Sequence, residues 1–304
     1  MNARLRGAPL LLVPGGLALL TGLDAALTLA GLPAPAGSPS LAVLHGPLMV
    51  MGFLGTVIAL ERAVALRQPW GLLVLVLVYV ALHQRNSDPV VAVEGLGAVL
   101  AAAAALLMTR VDVLVTVPLL IAFVVLTIGA ERVELARLAM PRDATTTLTG
   151  FSVLVAGAAV AATLWPTTGG RALGGVLLLL TLWLVRHDVA RRLVRSSGLP
   201  RFAAAALLAG YLWLAVAATT LLLVGRPVGA AYDVVVHATF LGFAMSMVLA
   251  RVLGAALEAV RLWEGALVRN VAALLLFVLT AAATAVSATR PGTRRTRPLP
   301  EVTR

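Results

Sequence analysis

Apolar residues run on for far longer than a soluble helix needs, and the polar positions are gathered into short clusters between the runs. A run of about 17 to 25 apolar residues crosses a hydrocarbon core about 30 Å thick. On that rule the pattern predicts spans over 9–32, 41–66, 89–108, 111–130, 147–165, 172–185, 202–224, 232–250 and 270–288, with 69–83 as a short tenth. The fold class is therefore all-α, a polytopic transmembrane helix bundle of nine or ten spans. It forms one bundle domain over residues 1–289, followed by a basic tail over 290–304 that is read as disordered. The first run resembles a signal peptide, because Ala34-Pro35-Ala36 follows it as a small-residue cleavage pattern. It exceeds the usual apolar core of about 7 to 15 residues and carries Asp24, so it reads as an uncleaved first span.

Arginine sets the topology. Arg62 and Arg67 close the second span, and the loop from Arg186 to Arg201 is the densest basic stretch in the chain. Both read as cytoplasmic under the positive-inside rule, which also places the N-terminus inside. Glu131-Arg132-Val133-Glu134-Leu135-Ala136-Arg137 reads as an amphipathic helix end leaving the membrane, its opposite charges three or four residues apart. Ten full crossings would put that end and the Arg186–Arg201 loop outside, so 69–83 is read as the segment that does not cross. Nine crossings leave only the basic tail on the wrong side. His83 and His187 stand in polar clusters and read as solvated loop residues.

Of the 304 residues, 61% are hydrophobic and 12% charged, which leaves no room for a soluble domain. The net charge of +11 is spread over span ends, a pattern that suits anionic lipid headgroups and not nucleic acid. The absence of cysteine excludes disulfides, thiolate metal sites and cysteine-ligated iron–sulfur clusters. The expected partners are the bilayer and, in addition, a redox partner or another membrane subunit.

The candidate chemistry lies in two intramembrane imidazoles. His45 opens Leu44-His45-Gly46-Pro47-Leu48-Met49-Val50-Met51-Gly52-Phe53 near the outer end of the second span. Met49, Gly52, Thr56 and Ala59 follow it at helical spacing and make a small, smooth face, against which either a flat cofactor or a close helix can lie. His237 sits about one turn inside the span that opens Ala231-Tyr232-Asp233, at a matching depth. Two such imidazoles supply both axial ligands of one haem, or part of a copper or zinc site that needs further donors. Asp233 either orients an imidazole or caps its helix, and Asp24 is either a proton or ion site or an interfacial cap.

His45-Gly46-Pro47-Leu48-Met49 resembles the H-G-x-x-M segment of haem-copper oxidase subunit I. The late His237-Ala-x-x-Leu-Gly-Phe-x-x-Ser-Met247 run, together with the overall layout, resembles bacterial membrane proteins of the NnrS type. The resemblance implies haem b or a metal at His45 and His237, with Met49 and Gly52 beside it. It also implies a bacterial cytoplasmic membrane and a setting in nitric-oxide or respiratory stress. The chain departs from that pattern in lacking a further histidine after Met247 and in its shorter length, and no complete catalytic centre is visible. An enzymatic role would be oxidoreductase-like. Two other classes stay open: a small-molecule or ion transporter with an Asp24, His45 and His237 relay, and a structural or assembly subunit whose histidines only bridge helices.

Overall fold

A computed structural model of the chain describes residues 12–58, 89–136 and 139–250. The expected span over 69–83, the last span over 270–288 and the basic tail lie outside the described residues, as do His83, Glu61 and Arg62. Within them the chain is helical throughout. It forms α1 (Leu12–Leu29), α2 (Pro39–Ala42), α3 (His45–Ile58), α4 (Pro89–Met108), α5 (Val113–Leu135), α6 (Ala144–Leu164), α7 (Pro166–His187), α8 (Ala190–Leu193), α9 (Gly198–Val224) and α10 (Ala230–Ala250). Six of these, α4 to α7 with α9 and α10, are long and apolar enough to cross a membrane, so the described chain is an all-α membrane-spanning bundle. Helices prevail because lipid offers backbone N–H and C=O groups no partner, and a helix satisfies them internally.

Helix α5 is the centre of the bundle. Its sequence is apolar on every face, as a helix surrounded by protein must be, and Leu119 to Leu126 are all buried. Its start is fixed by Asp112, whose Oδ1 accepts a hydrogen bond from the Leu114 amide at 2.8 Å. Helix α4 packs along it, with α6 and α10 also in contact. The α6–α7 corner is sharp: Trp165 ends one helix and Pro166 begins the next. Proline is suited to that first position because its missing N–H would be unpaired there anyway.

The span expected over 172–185 runs instead over Pro166–His187. Thr167-Thr168-Gly169-Gly170-Arg171 lowers the hydropathy, yet those glycines are what hold the helix in place. A Cβ at Gly170 would collide with the Gly225 carbonyl of α9's end, and one at Gly174 would lie 2.6 Å from the Ala218 carbonyl. The two backbones touch, in the small-residue packing that replaces hydrophobic association in lipid. Gly225 itself has φ of 79°, and a Cβ there would press on Thr167, so glycine closes α9 on both counts.

Consecutive neighbours from α4 to α10 are joined by short connections and run antiparallel. Arg132, Arg142, Arg186, Arg191, Arg192, Arg195 and Arg201 therefore share one face, and Arg110, Arg171 and Arg226 share the other. Gly174→Val is expected to lower stability by about 1–3 kcal/mol through overpacking against the α9 backbone. Gly175→Ala, whose added carbon meets only Leu222 Cδ1 at 3.8 Å, is expected to be neutral or slightly stabilising. Thermal unfolding in detergent checks both.

Candidate functional site

The second apolar run is not one regular helix. Pro39–Ala42 forms a single turn, Val43 and Leu44 break it, and α3 restarts at His45. The break releases the imidazole to reach across to α1, where its Nδ1 lies 2.8 Å from the Gly22 carbonyl oxygen, 23 residues away. A carbonyl only accepts, so Nδ1 carries the proton and donates. Nε2 is then the ring nitrogen that this bond leaves over. A main-chain carbonyl holding one ring nitrogen while the other faces a ligand is the usual support of a metal-binding histidine.

The smooth face below His45 is covered by α1. A Cβ at Gly22 would lie 2.7 Å from the Met49 sulfur, and one at Gly52 would lie 2.7 Å from Ala18 Cβ. Of the two occupants open for that face, the close helix is the one that lies there. Gly22 thus accepts from His45 through its oxygen and seats Met49 on its bare α-carbon. The Oδ1 of Asp24, further along α1, accepts from the Ala36 amide at 2.9 Å and ties the 30–38 loop to the helix, while its Oδ2 is buried without a hydrogen-bond partner among the described residues.

His237 is supported differently. Its Nδ1 donates to the Asp233 main-chain carbonyl at 2.7 Å, one turn back in α10. Asp233 orients the imidazole through its backbone, and its carboxylate is exposed. His237 is also exposed, together with Val234, on the side of α10 opposite Val235, Ala238 and Phe243, which are buried in the bundle. The same local bond joins His187 to the Trp183 carbonyl at 2.8 Å, so this bond is common to helical histidines and the cross-helix bond of His45 is the distinctive one. The His45 and His237 segments are not among the helix pairs that pack on each other.

A shared feature went unread in the sequence. Each histidine stands at the head of a π-helical stretch, Leu48–Leu54 and His237–Ala244, in which hydrogen bonds span five residues. Each stretch contains a Gly-Phe pair, and each glycine receives a side chain from the partner helix: Ala18 at Gly52 and Trp213 at Gly242. The extra residue per turn shifts the face a helix presents, and such stretches concentrate at functional sites. No single-residue signal marks them.

The arginine-rich face holds a second cluster, which the sequence reading did not single out. The helix expected to continue through Glu131 does so to Leu135 as the end of α5, and from it Arg132 reaches Asp188 on the α7–α8 corner. Arg132 Nε lies 3.1 Å from Oδ2, and its Nη2 lies 3.0 Å from both oxygens. Tyr211 of α9 donates to Oδ2 at 2.6 Å, and the Ala190 amide donates to Oδ1 at 2.9 Å. Asp188 is 3% exposed and Tyr211 1%. His187 beside them is half-buried, its ring 5.4 Å from that of Trp183. The apolar neighbours Ala130 and Val133 were the available signal that Arg132 faces inward.

Two buried carboxyl residues, Glu94 and Glu131, lie at one level of the α4–α5 interface. Gly97, one turn beyond Glu94, packs on Phe123 and Thr127, the latter one turn before Glu131. Among the described residues no group of three or more histidine, aspartate or glutamate side chains is placed to hold a metal ion.

Residues 8–74 and 71–251 match the family described as a domain of unknown function (DUF8744), and the chain belongs to that family. No curated protein and no solved structure matches it.

Removing either charge of the Arg132–Asp188 pair strands the other in a buried place, so Arg132→Met and Asp188→Ala are each expected to cost about 3–5 kcal/mol. Tyr211→Phe loses one hydrogen bond to a charge, about 1.5–3 kcal/mol. The triple variant Arg132→Met/Asp188→Leu/Tyr211→Phe, which removes the buried hydroxyl together with its acceptor, should recover most of the loss, as read by thermal unfolding of the purified protein.

Proposed function

We propose that this protein binds haem within a bacterial cytoplasmic membrane, with His45 and His237 as the two axial ligands, and carries electrons in respiration or in defence against nitric oxide. The observation that supports this reading best is the cross-helix bond from His45 to the Gly22 carbonyl. It commits Nδ1 to the carbonyl and leaves Nε2 as the nitrogen that would face a ligand. His237 likewise commits its Nδ1 to a main-chain carbonyl, from the exposed side of α10.

The donor set suits haem. A zinc or copper site draws on three or four protein ligands, whereas a haem iron bound through two imidazoles needs one from each of two helices. A bound haem would supply one-electron chemistry; the chain's residues would do the holding. Gly22 and Asp233 fix the two rings through their carbonyls. Under the positive-inside rule the arginine-rich face lies in the cytoplasm and His237 lies toward the outer side. The partner is then a redox protein or membrane subunit that reaches the outer half of the bundle.

The test is an optical spectrum of the purified protein, oxidised and dithionite-reduced, after expression with ample haem. The expected result is a Soret band with sharp reduced α and β bands, lost in His45→Ala and in His237→Ala and retained in His187→Ala. A colourless wild type, or a spectrum unchanged by both substitutions, would overturn the proposal.

A further inference from the structure

On the arginine-rich face, at the corner where α7 ends, α8 turns and α9 begins, five arginines stand exposed: Arg186, Arg191, Arg192, Arg195 and Arg201. The one carboxylate inside this stretch, Asp188, turns away from them. It is buried and already holds Arg132, Tyr211 and the Ala190 amide. Within residues 186–201 no other carboxylate offsets the corner's positive charge. The corner presents that charge from a fixed frame, since Asp188 pins the start of α8 to both α5 and α9.

Apolar surface adjoins the charge. Leu193 of α8 and Leu182 of α7 are both exposed, 39% and 58%, and Leu182 lies one turn before Arg186 on the same helix. An occupant that fits must be anionic at one end and apolar at the other, and must lie at the depth where spans meet the headgroups. We propose that this corner is a binding site for an anionic phospholipid of the inner leaflet, its phosphate among Arg191, Arg192 and Arg195 and its acyl chains along Leu182 and Leu193. Juxtamembrane arginines are drawn to anionic leaflets, and the guanidinium fork matches phosphate geometry. What distinguishes this corner from an ordinary basic loop is the buried ion pair, which spares the arginines the entropy of ordering a mobile loop on each binding event. The proposal is independent of haem.

The experiment compares the full-length wild type with Arg191→Gln/Arg192→Gln/Arg195→Gln and with Arg171→Gln on the opposite face. Each is titrated in detergent with phosphatidylglycerol, with phosphatidylcholine and with inorganic phosphate. Retained lipid is counted by native mass spectrometry, and the unfolding midpoint is followed in parallel. The wild type and Arg171→Gln should retain phosphatidylglycerol saturably over phosphatidylcholine and rise in midpoint. The triple variant should lose at least about tenfold in retention, against about fivefold expected for each arginine at an anionic surface. Its unliganded midpoint should stay unchanged, because none of the three side chains belongs to the buried pair. Equal retention of both lipids by the wild type, undiminished retention by the triple variant, or the same response to inorganic phosphate alone would overturn the proposal.

Discussion

In a bilayer a polar group has no water to fall back on, and the described structure follows from that one constraint. Backbone groups pair within helices, and hydroxyls turn back on their own helix. Thr127 bonds to the Phe123 carbonyl and Thr181 to the Leu177 carbonyl, each four residues back. The charged and aromatic polar groups meet the same requirement across helices. Asp188 gathers Arg132, Tyr211 and a backbone amide, and so joins α5, the α7–α8 corner and α9 at one point. His45 meets it through the Gly22 carbonyl, and that choice decides which of its nitrogens remains for chemistry.

The same constraint explains the division of the molecule into a frame and a site. The frame is the tight pack of α5, α6, α7 and α9, where Gly170 and Gly174 bring backbones into contact and Leu173, Leu177, Leu180 and Leu184 fill the interior. The two histidines stand outside that pack, one on the α1–α3 hairpin and one on the exposed side of α10. Both helices loosen into π-helical turns at the histidine. Regular, close packing serves stability; irregular backbone beside an imidazole is where a ligand can be held.

Much of the fold was legible in the sequence, because an apolar run long enough to cross lipid has few other uses. Asp112 before Val113 and Pro166 after Trp165 are helix-start signals that the reading by hydropathy alone passed over. The errors have physical causes. Gly169, Gly170 and Arg171 lowered the hydropathy of α7's first turns, whereas their packing on α6 and α9 depends on small size, which hydropathy does not score. The Arg132–Asp188 pair went unread because its partners lie 56 residues apart in sequence. Residue types and spacing singled out His45 and His237, but burial, hydrogen-bond partners and the π-helical turns are properties of the assembled backbone. Glu94 escaped notice because a single carboxyl does not break a span as apolar as Pro89–Met108.

The central claim is that both intramembrane imidazoles offer Nε2 to one iron. Electron paramagnetic resonance of the oxidised protein, frozen after purification, tests it most directly, because it reports the axial ligands themselves. The account predicts a low-spin ferric signal of the type two imidazoles produce, converting to a high-spin signal when either His45 or His237 is replaced by glycine and returning toward low spin when imidazole is added to the buffer. The absence of any ferric signal, or a high-spin signal in the wild type itself, would contradict it.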